Sequence, residues 1–196
     1  MQAAADNDLR DKVRAAYSSA AVKPEDKHPF PVGRAFAESL GYPAALLDAL
    51  PSISAEAFAG VSNVSLFAEI PEGATVLDLG CGAGLDSLIA ARRAAPSGKV
   101  IGIDFSAPML DRARQAAKEA AVHNVSFERA AAEHLPLNDA SIDVGLVNGI
   151  FNLNPARTAI FRELGRVVRP GGVVYAAELV LAGAPPAHQG DADWFA

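Results

Sequence analysis

Between residue 74 and about residue 180, short β-branched runs alternate with alanine-rich stretches of helical period. Few folds accommodate that rhythm. Strand, helix, strand, helix in succession calls for a mostly parallel sheet whose crossover helices cover both faces, a three-layer α/β/α arrangement. The expected strands are Thr75–Leu79, Lys99–Asp104, Asn124–Glu128, Ser141–Val147 and Val173–Leu179. Helices are expected over Asp86–Ala95, ended by Pro96-Ser-Gly, over Ala107–Ala121, and over Pro155–Val168, closed by Arg169-Pro-Gly-Gly. Ser106 is the expected N-cap of the second helix, its hydroxyl accepting an orphan amide proton of the first turn. In such folds ligands bind beyond the carboxyl ends of the strands, where strand order reverses.

The first 70 residues differ in texture. Leu9, Val13, Ala16 and Tyr17 fall on one helical face, His28-Pro-Phe-Pro marks a turn, Ala44–Leu50 reads as a short helix stopped by Pro51, and Ser54-Ala-Glu-Ala-Phe starts another. None of these pieces carries enough apolar surface for a core of its own. Residues 1–70 are therefore expected to pack on residues 71–196 as a helical segment that shapes a ligand site. With 17 basic and 23 acidic side chains the formal charge is −6, which disfavours nucleic acid or an anionic membrane as partner. A single cysteine, Cys81, excludes an internal disulfide and a cysteine-rich metal centre. The first residues lack the basic and then apolar pattern of a secretory signal, and every apolar stretch is shorter than a membrane span. A cytoplasmic protein without a metal site is the expectation.

Chemistry concentrates after the first two strands. Asp78-Leu-Gly80-Cys81-Gly82-Ala-Gly84 spaces its glycines at every second position, so the backbone can turn tightly and approach a ligand. A helix N-terminus then points at the same place. A dinucleotide fingerprint would need a third glycine where Leu85 stands, which argues against a nicotinamide-dependent dehydrogenase. Asp104 ends the second strand, 20 residues past Gly84. Its carboxylate suits the two hydroxyls of a ribose, and a helix-capping or surface aspartate is the competing reading.

The runs Val76-Leu-Asp-Leu-Gly-Cys-Gly-Ala-Gly84, Val100-Ile-Gly-Ile-Asp-Phe-Ser-Ala-Pro-Met109, Ala132-Glu-His-Leu-Pro-Leu, Asp143-Val-Gly-Leu-Val-Asn148 and Leu164-Gly-Arg-Val-Val-Arg-Pro-Gly-Gly172 together resemble the class I S-adenosylmethionine-dependent methyltransferases. The resemblance implies a Rossmann-like fold that binds S-adenosylmethionine and releases S-adenosylhomocysteine. It also implies a set of roles. Asp78 and the loop Gly80, Cys81, Gly82 and Gly84 would hold the methionine part. Asp104 would take the ribose hydroxyls, and Phe105 and Met109 would flank the adenine. Ala132 and Glu133 would lie at its amino edge, and Asn148 beneath the methionine and sulfonium. The family has seven strands and this chain supplies five, so the sheet is expected to be incomplete at its carboxyl-terminal strands. An open edge invites pairing into a homodimer, or cover by Trp194 and Phe195.

Phe30-Pro-Val-Gly-Arg, Leu40-Gly-Tyr-Pro, Ala57-Phe-Ala-Gly-Val-Ser-Asn and Asn148-Gly-Ile-Phe-Asn-Leu-Asn-Pro155 narrow the resemblance to the arsenite methyltransferase-like branch. Members of that branch hold As(III) with cysteine thiolates, one in the segment matching Ala59–Asn63 and one directly after the asparagine matching Asn148. Here the first segment has no cysteine and the second position is Gly149. A soft centre such as As(III) wants two or three thiolates, so a different small-molecule acceptor, or one that brings its own thiol, is expected. Tyr17, His28, His134 and Glu178 are the general bases considered, with His123 set aside as a loop residue, and no catalytic residue is assigned. The alternative is a chain that binds the cofactor without catalysis, as a sensor or partner subunit.

Overall fold

The computed structural model describes residues 2–180 and 183, with side chains from Asp8 onward. In chain order the elements are α1 (Gln2–Val22), α2 (Arg34–Ser39), α3 (Ala44–Asp48), α4 (Ser52–Glu56), α5 (Val64–Phe67), β1 (Thr75–Leu79), α6 (Leu85–Ala94), β2 (Lys99–Asp104), α7 (Ala107–Glu119), β3 (Val125–Arg129), β4 (Ile142–Asn148), α8 (Arg157–Val167) and β5 (Val168–Ala177). The strands form one sheet in the order β3-β2-β1-β4-β5, every neighbouring pair parallel. This is the Rossmann-like three-layer α/β/α fold.

β1 is central because Val76, Leu77 and Leu79 leave almost no surface exposed on either face, as a parallel strand sandwiched between helix layers requires. Val76 and Val100 join Ala90, Ala91 and Ala94 of α6 on one face. On the other, Leu77, Leu79 and Ile103 meet Ile160, Leu164 and Val167 of α8. The front helices add to the first of these layers. Tyr42, Leu47, Leu50, Ala55 and Phe58 form one cluster with Leu85, Leu88 and Ile89 of α6 and Ala116 and Ala117 of α7. Ser106 caps α7 as expected, its Oγ accepting from the Met109 amide.

The strand expected to begin at Val173 already pairs at Val168. Its ladder is irregular: Ile142 lies opposite Val168, and Val144 opposite Val173. The Arg169-Pro-Gly-Gly172 turn is thus absorbed as a bulge, with Gly171 at φ +81°. Pro170 lacks an N–H to donate, and an edge strand with a bulge tolerates that. The outer side of β5 has no partner strand among the described residues, and Val173 and Val174 are exposed there. Trp194 and Phe195 lie outside the described residues. Among those residues no helix is long and apolar enough to cross a membrane.

Candidate functional site

The order β2-β1-β4 brings the carboxyl ends of three strands together at the point where the sheet reverses its direction of growth. The glycine loop leaves β1 there. The amides of Gly80 and Cys81 both donate to the Ile103 carbonyl, at 2.8 and 3.1 Å, which folds the loop across the end of β2. Asp104 then clamps two loops at once: Oδ2 accepts from the Gly82 amide at 2.9 Å and Oδ1 from the Ser106 amide at 2.8 Å. Helix capping and ligand binding, competing readings in the sequence, are compatible, because each carboxylate oxygen keeps a second lone pair. Burial pushes Asp104 up to about 6, against the pull of the Ser106, Gly82 and Phe105 amides.

A cavity of about 170 Å³ opens between this loop, the 130–133 turn, the loop after β4 and α1. Asp78, Gly80, Cys81, Gly82, Asp104, Phe105, Met109, Ala132, Glu133 and Asn148 all line it. Gly84 does not. It sits behind the loop as the N-cap of α6, at φ +86°, where an added Cβ would lie 3.0 Å from the Ala113 Cβ. Gly80 is constrained more tightly, with φ +79° and an added Cβ only 2.4 Å from Ile150 Cγ2. Gly80→Ala is expected to lower stability by about 2 kcal/mol through left-handed strain and displaced Ile150, which chemical denaturation would measure.

Asp78 is buried and accepts from the Ser87 hydroxyl. Burial first, and then the neighbouring Asp86 carboxylate, hold it well above the usual carboxylate range. The Cys81 thiol is also raised, by burial and then by Asp104 and Asp78. It is therefore a small neutral side chain in the loop, not a thiolate.

α1 roofs the cavity. Tyr17 stacks on Phe30 at 4.4 Å between ring centres and meets Phe105 edge-on at 6.4 Å. Arg10 Nη2 reaches Glu133 Oε1 at 2.6 Å. The Ser18 and Ser106 hydroxyls lie 3.0 Å apart, and Arg112 donates to the Ala21 carbonyl.

Asn148 lines the cavity, but its amide is spent on a neighbouring loop. Oδ1 accepts from the Val61 and Ser62 amides, while Nδ2 donates to the Ser62 carbonyl at 2.7 Å and to Asp86 Oδ2 at 2.9 Å. Asp86 is the hub that sequence reasoning missed. Its Oδ1 accepts from the Tyr42 hydroxyl at 2.6 Å and from the Ser65 hydroxyl and amide. An acid in the first turn of the helix after the loop was the available signal, and it reads equally as a dipole complement.

The considered bases scatter. Glu178 accepts from the Phe151, Asn152 and Leu179 amides and so holds the loop after β4. His28 bonds the Lys23 carbonyl. His134 borders a shallow surface cleft beside Glu163, and His123 is exposed. Tyr17 alone faces the cavity. Burial, then Asp104, raises its phenol above the ordinary range, so it is a poor proton acceptor at neutral pH.

A family model described as "Methyltransferase domain" matches residues 70–193. An arsenite methyltransferase of Halobacterium salinarum is 39% identical over 145 residues, covering 73% of this chain and 36% of that protein. A demethylmenaquinone methyltransferase of Lactococcus lactis is 38% identical over 106 residues, covering 54% of this chain and 42% of that protein. The crystal structure of an arsenic(III) S-adenosylmethionine methyltransferase from Chlamydomonas reinhardtii superposes with TM-score 0.57 at 28% identity, covering 74% of this chain and 48% of the other. The chain thus spans less than half the length of these relatives.

Proposed function

The chain belongs to the methyltransferase-domain family, and from that premise we propose that its cavity binds S-adenosylmethionine and delivers the methyl group to a small acceptor. The observation that carries this reading is Asp104, a buried carboxylate held by two loop amides with lone pairs left toward the cavity. The residues present fit the cofactor. Asp104 matches a ribose diol, the buried acid Asp78 matches a cationic ammonium, and the bare backbone at Gly80 and Gly82 leaves room for close approach. Bound there, S-adenosylmethionine supplies an electrophilic methyl already activated by its sulfonium.

The protein's contribution is position and dryness. Asp78 and Asp104 would hold the cofactor at its ammonium and its ribose. Tyr17, Phe30 and Phe105 wall off water, and α1 with residues 1–70 forms the cover. With Asp78 and Asp104 committed to the cofactor and Tyr17 held as a neutral phenol, an acceptor that arrives with a free lone pair, such as a thiolate, is favoured over one needing deprotonation. The relatives' names include arsenic and a quinone precursor as acceptors. With Cys81 buried and neutral, this chain's own thiol does not serve As(III), so a thiol-bearing acceptor is the better fit.

Calorimetric titration of the purified chain with S-adenosylmethionine and S-adenosylhomocysteine tests the reading. Micromolar binding of both supports it, and absence of binding in a folded sample overturns it. Turnover of any acceptor would separate an enzyme from a cofactor-binding subunit. The pH dependence has a defined sign. In the free protein Asp104 titrates at about 6, and ribose hydroxyls donate to its ionised form. Binding below that pH therefore expels a proton. The contribution of Asp104 to the dissociation constant should be flat above pH 7 and raise it about tenfold per unit below 6. Titrations at pH 5 and pH 7 measure this directly.

A further inference from the structure

We propose that Arg10, carried by α1, reads the base of the bound nucleoside together with Glu133. This rests on the cofactor reading above and adds a specificity residue that the sequence motifs do not contain.

Arg10 reaches the cavity wall and is held there by Glu133, itself only 8% exposed. One guanidinium arm makes the 2.6 Å contact to Glu133 Oε1. Arg10 Nε is buried and, among the described residues, has no hydrogen-bond partner. It is the one buried side-chain nitrogen or oxygen among them left so. A buried donor without an acceptor is costly, and native proteins rarely keep one without a use. The use follows from its neighbour. Glu133 offers carboxylate lone pairs, and Arg10 offers an unspent N–H beside them. Adenine presents the complement, an amino donor next to a ring-nitrogen acceptor. Hypoxanthine reverses that order, with an oxygen acceptor next to a protonated ring nitrogen. The pair therefore selects adenine, and because Arg10 lies on α1, the cover over the cavity takes part in the selection.

The test is calorimetric titration of the 196-residue chain with S-adenosylhomocysteine and with S-inosylhomocysteine, in which hypoxanthine replaces adenine. The wild type should prefer the adenine compound by at least about tenfold, the range of one well-made donor–acceptor pair. Arg10→Met keeps the aliphatic stem and removes the donor, and should bring the two affinities within about twofold of each other. Ser18→Ala loosens α1 at Ser106 without touching the pair, and should weaken both ligands while preserving their ratio. The inference is overturned if the wild type shows no preference, or if Arg10→Met keeps the wild-type ratio. If the wild type binds neither compound, the cofactor reading itself fails, which is a different result.

Discussion

Asp104→Ala raises the dissociation constant for S-adenosylhomocysteine at least about a hundredfold at pH 7.5, by calorimetry, while the protein remains folded. Two charge-assisted hydrogen bonds from a ribose, each contributing about 1.5–3 kcal/mol, set the lower bound. Loss of the clamp on the Gly82 and Ser106 amides adds to it by releasing the loop. The effect on stability is small because two terms oppose. Folding raises Asp104 from the ordinary carboxylate range to about 6, so stability is lost as pH rises from about 4 to 6, and above 6 the native state carries the ionised side chain at a cost. Alanine removes that cost and leaves two amides unpaired. A thermal midpoint that fell together with binding would contradict the assignment, since the carboxylate would then be structural.

The largest effect on stability belongs to Asp86→Ala, expected to cost about 3–5 kcal/mol in chemical denaturation. Alanine there removes the acceptor of the Ser65 hydroxyl and amide and of one Asn148 Nδ2–H, and leaves the Tyr42 hydroxyl only the longer 3.3 Å contact to the Ser62 carbonyl. Each orphaned donor carries its own desolvation penalty. Tyr42→Phe removes a single member and should cost about 1 kcal/mol, so the two variants give a graded series. Equal losses would mean that the Tyr42–Asp86 bond carries the whole effect and that the Ser65 and Asn148 contacts contribute nothing.

The layered fold was legible because its determinants are local. Thr75–Leu79 and Lys99–Asp104 are apolar runs bounded by glycine or a cap, and both strands have the expected limits. α6 begins at Leu85, one residue before the expected start, because Gly84 in its left-handed conformation takes the cap position. The start of β5 was harder, since Arg169-Pro-Gly-Gly has turn chemistry and only its neighbour β4 makes it part of a ladder. In the site, the loop glycines and Asp104 announce themselves by spacing. Arg10 meets Glu133 across more than a hundred residues of chain, and Asn148 reaches Val61 and Ser62 across 87 and 86. No periodicity encodes such meetings, because the crossover topology creates them. The short helices α2 and α5 were also missed, being a turn or so long and stabilised by burial against α4, α6 and β4 rather than by propensity.

The strand order has a further consequence for how the chain is made. Among the described strands, β1 is both the middle of the sheet and the first in chain order. β2 then adds to one side of it and β3 to β2, after which β4 takes the free side of β1 and β5 follows. Each of the five described strands meets a neighbour that already exists, and none of these five has to be threaded between two others. Slow parallel pairing is thereby broken into successive short-range additions, so the sheet can assemble outward from its centre at the pace of translation.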